Sequence, residues 1–270
     1  MQSKHHRIVS GRATLAAEVM GSGSPVVFLH AAVCDSRMWR PQLDAVAAGH
    51  QAIAYDRRGF GQTVAEQEDH SVVGDLLTVI DTVAPGAPAI LVACSQGGRV
   101  ALDAALLHPA RIRGLVLISP SVSGAPDPVL PPGIEMLVAA QKAAEDAGDL
   151  DRVNAIKAHL WLDGPLQPEG RVTGPARRLF LDMNGIALRK SPAGANVDRM
   201  AAFQRLGEIV APALVICGDA DFPHIQARSR DMAAAMRNAR FQSLPGAAHL
   251  PSLECPAETV RLLMAFLARI

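Results

Sequence analysis

Ser95 is the residue whose surroundings point most directly to chemistry. It stands in Ala93-Cys94-Ser95-Gln96-Gly97-Gly98, where an apolar run ends and a helical pattern begins. A serine on a sharp strand-to-helix turn needs small neighbours, here Ala93 two before and Gly97 two after, because bulky side chains would collide there. Such a turn lifts the hydroxyl above the sheet, and the helix N-terminus favours developing negative charge. That is the chemistry of nucleophilic attack on a carbonyl. The same hexapeptide also reads as an ordinary serine N-cap, so other residues must decide.

A serine nucleophile needs a base, and the base needs a group that orients it. Of the nine histidines, His249 has the suitable place, in Pro245-Gly246-Ala247-Ala248-His249, after a last short strand and before the last helix. Loops beyond strand ends are where parallel-sheet sites form. Asp219 and Asp221, in Cys217-Gly218-Asp219-Ala220-Asp221, follow the preceding strand and are the acid candidates.

The elements that must hold these residues follow from hydrophobic patterning. Apolar runs at 26–29, 52–55, 89–93, 115–118 and 214–217 are continuous rather than alternating. Strands buried on both faces of a parallel sheet have this form. An antiparallel edge piece is expected over 12–19 and a final strand over 240–244. Helices fall between them: Trp39, Leu43, Val46 and Ala47 share one face, and helices are expected over 72–83, 96–107 and 226–236. The last helix starts at Pro256, a favoured first-turn residue. The alternation predicts an α/β protein with a parallel sheet and right-handed crossovers.

One stretch breaks the alternation. From about 120 to 207 no apolar strand run occurs. Residues 121–133 are dense in Pro and Gly, and helices are expected over 134–147, 150–161, 174–183 and 196–206. A helical insertion between two strands of one sheet accounts for this.

Composition narrows the function classes. The chain has 270 residues, 49% hydrophobic and 19% charged, which excludes disorder and fits one large α/β domain or two small ones. Lys plus Arg (26) equals Asp plus Glu (26), so no basic field for nucleic acid is implied. The start carries Lys4, His5, His6 and Arg7 without a following apolar stretch, unlike a secretory signal, and no apolar run is long enough to span a bilayer. Cys34, Cys94, Cys217 and Cys255 form no C-x-x-C pair and have no zinc spacing. The expectation is a cytoplasmic, reduced, metal-free protein with no cofactor, no nucleic-acid partner and no membrane, with a homodimer left open.

With these elements in order, the sequence resembles the α/β-hydrolase superfamily over nearly its whole length. Val26 to Ala32 followed by Trp39 looks like the family's oxyanion-loop strand and turn. Tyr55-Asp56-Arg57-Arg58-Gly59-Phe60-Gly61-Gln62-Thr63 resembles its D-x-R-G-x-G-x-S loop, with Thr63 for the serine. Gly218 to Asp221 resembles its G-x-x-D acid motif, and Gly246, His249, Glu254 and Pro256 its histidine loop. The order serine, acid, histidine is the family's order. The resemblance implies a mostly parallel eight-stranded sheet flanked by helices, with a helical cap inserted before the last two strands. Its core would be 1–119 and 208–270, and its cap 120–207.

It further implies a Ser95–His249–Asp221 triad, with backbone N–H groups of Ala32 and Gln96 as the oxyanion hole. Asp219 is read as a turn residue, His30 as a support of the oxyanion loop, and Asp56 as paired with Arg57 or Arg58. The chain departs from the family at Ala31 and Ala93, where glycine is usual; each adds a methyl near the active turn. Ser95 in place of Asp disfavours an alkyl-enzyme mechanism, as does a cap region without tyrosine for epoxide opening.

The implied function is a serine hydrolase acting through an acyl-enzyme on Ser95, cleaving esters or lactones of small, largely apolar substrates. Small carboxylesterases and 3-oxoadipate enol-lactonase-like proteins are the similar members. Val33, Trp161 and Leu250 are expected at the substrate pocket, beneath lid residues such as Met136, Leu160, Leu162 and Met183. Arg37, Arg171, Arg177, Arg178 or Lys190 could hold a carboxylate or form a solvated lid face. The alternatives are another serine-triad enzyme (C–C bond hydrolase, aminopeptidase or acyltransferase) and a non-catalytic ligand-binding protein on the same scaffold.

Overall fold

The structure, a computed structural model, describes residues 2–270. Nine strands form one sheet: β1 (Lys4–Ser10), β2 (Ala13–Met20), β3 (Pro25–Leu29), β4 (Gln51–Tyr55), β5 (Val64–Ala65), β6 (Ala89–Cys94), β7 (Ile112–Ile118), β8 (Ala213–Gly218) and β9 (Ala239–Leu244). Eight of them run in the order β1-β2-β4-β3-β6-β7-β8-β9, and two-residue β5 pairs with β2 off this path. From β4 to β9 every neighbouring pair is parallel, while β1, β2 and β4 pair antiparallel.

β3 and β6 are buried along their whole length, and their alternate residues feed two separate cores. Val27, Leu29, Leu91 and Ala93 face one core, covered by the helices Val72–Val83 and Gln96–Leu107. Val26, Phe28, Val92 and Cys94 face the other, covered by Trp39, Leu43 and the last helix Pro256–Leu267. This explains why these strands read as unbroken apolar runs.

β1 was not expected. Only Ile8 of its seven residues is buried, so its sequence carries little apolar signal, and the pairing with β2 defines it.

Between β7 and β8 the chain forms the helices Pro132–Asp146, Leu150–Ala158 and Gly174–Leu188. The expected helix over 150–161 changes to a π-turn at His159–Asp163. The expected helix over 196–206 is replaced by an irregular strap that ends in a short 3-10 turn, Ala202–Glu208. Its physical reason lies in side-chain competition with helix formation. Asn196 and Asp198 accept the Val72 and Val73 N–H groups at the start of a core helix, and Asn196 pairs with His70 through a β-bridge. Ala202 and Leu206 then pack into the core below. Among the described residues no helix is long and apolar enough to cross a membrane.

Candidate active site

The chain leaves β6 at Cys94 and enters the helix Gln96–Leu107 through a single residue. Ser95 takes φ 52° and ψ −117° to make this turn, and only Ser119 among the other described non-glycine residues has positive φ. A non-glycine residue held in this region is strained, and such strain gathers at functional sites. The Ser95 N–H donates to the Ile118 carbonyl, and its carbonyl accepts from Gly98 and Ser121, so the surrounding backbone fixes the turn. A methyl built on Gly97 would overlap the Leu29 carbonyl, and one on Gly98 would overlap Pro120. Gly97 is thus a steric requirement for seating the helix against the end of β3, and Gly98 for seating it against the segment after β7.

Across the sheet, β8 ends at Gly218 and delivers Asp221, and the loop after β9 delivers His249. His249 Nδ1 lies 3.0 and 2.9 Å from the two carboxylate oxygens of Asp221. Asp221 Oδ1 also accepts the Phe222 N–H at 2.7 Å. Both side chains are buried. An ionised Asp221 fixes the proton on Nδ1, which leaves Nε2 as the acceptor. Nε2 is buried and has no hydrogen-bond partner among the described residues, so the bond to Ser95 is not formed. Such bonds are often long without substrate and tighten in the reacting complex. The fully buried Cys94 thiol, 3.7 Å from the His249 carbonyl, links the serine turn to the histidine loop, and burial pushes its pKa well above the usual thiol range. Asp219 accepts the Gly246 N–H at 2.7 Å and serves the turn.

The third component is the loop after β3. His30 is fully buried, and burial, then nearby Arg57, hold its imidazole well below the usual range. Its Nε2 accepts the Arg57 N–H at 3.1 Å, so Nδ1 carries the proton and donates to the Ala31 carbonyl at 2.8 Å. The neutral ring thus sets the backbone just before Ala32. The Ala32 and Gln96 N–H groups meet no acceptor within the described chain, and both residues border one cavity of about 440 Å³.

This arrangement of elbow, acid and histidine loop is accompanied by a match of residues 26–262 to the profile of the Alpha/beta hydrolase family. The chain belongs to that family. RutD of Variovorax paradoxus strain S110, a candidate carbamate hydrolase, is 30% identical over 249 residues, covering 86% of this chain and 87% of its own. The 2-(acetamidomethylene)succinate hydrolase of Mesorhizobium japonicum is 25% identical, covering 97% and 94%. Among solved structures, the enol-lactonase of Burkholderia xenovorans LB400 superposes with a TM-score of 0.76 at 22% identity, covering 98% and 100%.

In this α/β hydrolase the cavity that Ala32 and Gln96 border is lined by none of Ser95, His249, Val33, Trp161 and Leu250. Val33 and Leu250 are buried in the core and do not line the cavity beside Ala32 and Gln96. Trp161 instead lies 4.6 Å, ring to ring, from both His249 and Phe222, where the π-turn carries it. Leu160, Leu162 and Met183 are buried packing residues, and Met136 is exposed. Asp56 does not pair with either neighbouring arginine. It accepts the Ser36 and Gln62 N–H groups, closing its own loop, while Arg58 binds Asp75 and Glu68.

Arg37, Arg171 and Arg177 all have protein carboxylate partners: Asp35 and Asp182, Glu254, and Asp163. Lys190 is the one expected carboxylate candidate that borders the cavity. Glu254 belongs to the histidine-loop motif that the sequence resembles, while the burial of Arg57 was not announced by its position. Glu254 is nearly buried and binds the histidine loop, and burial, the largest influence, raises its carboxyl. Arg57 is buried beside Gln96.

Proposed function

We propose that this protein is a serine hydrolase of carboxylic esters or lactones, with Ser95 as nucleophile, His249 as base and Asp221 as its orienting acid. The observation that carries this reading is the strained Ser95 turn, together with the buried Asp221–His249 pair and the unpartnered N–H groups of Ala32 and Gln96. Those two donors suit a developing oxyanion, and removing one such donor typically costs about 2.7–4 kcal/mol of transition-state stabilisation.

In this mechanism Ser95 attacks the carbonyl while His249 Nε2 takes its proton. Asp221 stabilises the imidazolium. The protonated His249 then donates to the leaving alkoxide, and an acyl-Ser95 ester forms. A water, deprotonated by His249, attacks that ester and releases the acid. The helical insertion over residues 120–207 acts as the lid, since Trp161 covers the His249 ring and Arg171 reaches the Gly246 carbonyl. The Trp161–Phe222 wall suits an apolar substrate portion.

The test is hydrolysis of 4-nitrophenyl acetate and butyrate, a lactone series and a carbamate by wild type, Ser95→Ala and His249→Ala. Ester or lactone turnover abolished in the serine variant supports the reading. Turnover retained in Ser95→Ala, or none by the folded wild type, contradicts it.

A further inference from the structure

The cavity that Ala32 and Gln96 border is built between the core loop 57–60 and the helical insertion. Its charges are not balanced. Arg57 is buried, yet it meets no carboxylate among the described residues. Its guanidinium donates to Gln96 Oε1 at 2.6 Å and to the His30 carbonyl at 2.9 Å, and its Nε is unpartnered. Lys157, half-buried on a helix of the insertion, has no hydrogen-bond or ion-pair partner there either. Lys190 donates to two backbone carbonyls, Phe60 at 3.1 Å and Thr63 at 2.6 Å. All three border the cavity.

Acidic groups do not cancel this charge. Asp75 borders the same cavity but is bound by Arg58 and by the Ser10 hydroxyl. Glu145 influences Lys157, and Asp56 and Asp35 influence Lys190, without forming ion pairs with them. A buried cation without a counter-charge is costly, and a bound anion relieves the cost.

We propose that this cavity is a carboxylate subsite: Arg57, Lys157 and Lys190 select an ester or lactone that also carries a free carboxylate, and set its carbonyl against Ala32 and Gln96. The inference rests on the ester-or-lactone reading of Ser95 for its reaction, though not for its binding. Burial accords with it, lowering Arg57 to about 10 and both lysines below their usual range, as for cations that await a partner. The substrate would thus be two-sided, with an apolar portion against Trp161 and an anionic portion toward Arg57.

Two measurements on the intact protein test this. The first compares kcat/KM for 4-nitrophenyl butyrate with mono-4-nitrophenyl glutarate (carboxylate on the acyl side), and for phenyl butyrate with 4-butyryloxybenzoate (carboxylate on the alcohol side). The second is calorimetric binding of glutarate against its neutral dimethyl ester. Each is made on wild type, Lys157→Met and Lys190→Met. One anionic ester should be preferred by about tenfold or more, chiefly through KM, with the preference weakened by salt. That ratio and the glutarate affinity should both fall about tenfold or more in Lys157→Met.

A neutral ester turned over without anionic preference and without glutarate binding overturns the subsite and leaves the hydrolase. A preference unchanged in both lysine variants overturns it as well. Turnover of no ester, with Lys157-dependent glutarate binding, contradicts the hydrolase and upholds the subsite. Neither turnover nor binding overturns both.

Discussion

Glu254 brackets His249. One of its carboxylate oxygens accepts the Ala248 N–H at 2.8 Å and the other accepts the Leu250 N–H at 3.1 Å. The residues on either side of the histidine are therefore held by one buried side chain, which is held in turn by Arg171 from the helical insertion. Arg171 also donates to the Leu162, Asp163 and Gly246 carbonyls, so the insertion and the histidine loop are tied together.

The first prediction follows from that tie. Glu254→Gln keeps the size but offers one acceptor in place of two, and faces an NH₂ group toward a donor. Leaving a buried donor unmet costs about 1–3 kcal/mol. We expect a lower melting temperature and a kcat reduced about 10- to 100-fold by misplacement of His249, with KM little changed. Steady-state kinetics with thermal melts checks this; a kcat within twofold of wild type contradicts it.

Asp221→Asn tests the orienting acid. The amide keeps the shape but can donate to Nδ1, which favours the tautomer with the proton on Nε2. The comparable change in serine proteases lowers kcat about 10⁴-fold, and a loss of that order is expected here. Binding of a substrate-like ligand to the variant should survive, since Asp221 faces His249 and lies beneath the site.

His30 gives a pH signature for stability. Its folded pKa lies well below the ordinary 6.5, because burial opposes the charged ring. Below about pH 6.5 the unfolded chain takes up a proton that the folded chain refuses. Stability is therefore fully present above that pH and is lost as pH falls toward the folded pKa, by up to about 1.4 kcal/mol per pH unit. Urea unfolding of wild type and His30→Gln between pH 7 and 5 checks this. The variant should show a shallower slope; equal slopes would remove His30 from the account.

Gly97→Ala tests the packing of the serine turn. The added methyl would overlap the carbonyls of Leu29 and His30, and small-to-large changes of this kind cost about 1–3 kcal/mol. The forced shift moves Gln96 as well, so activity should fall further than stability alone explains. Urea unfolding and kinetics at a temperature where the variant is fully folded separate the two effects.

Much of the fold was legible because the parallel strands are buried on both faces and so carry long apolar runs. β3, β6 and β8 stand where their runs predict, and Val72–Val83 and Gln96–Leu107 form the helices expected of them. β1 was hidden because it is an edge strand with one buried residue. The 190–201 strap was hidden because Asn196 and Asp198 give their side chains to another helix, a tertiary effect without a local pattern. At the site, the serine turn and the place of His249 followed from residue type and order, while the choice of Asp221 over Asp219 came from the resemblance to the family's acid motif. Arg57 could not be separated from Arg58 by sequence, since adjacent arginines look alike until one meets Asp75 and Glu68 and the other Gln96. Lys157 carries no motif, and only the packing of the insertion brings it to the cavity.

The most direct test of the central claim is covalent labelling by a fluorophosphonate, located by peptide mass spectrometry. The account predicts one adduct, on Ser95, absent from Ser95→Ala and formed far more slowly in His249→Ala. An adduct on another residue, or none in the folded wild type, would contradict Ser95 as the nucleophile.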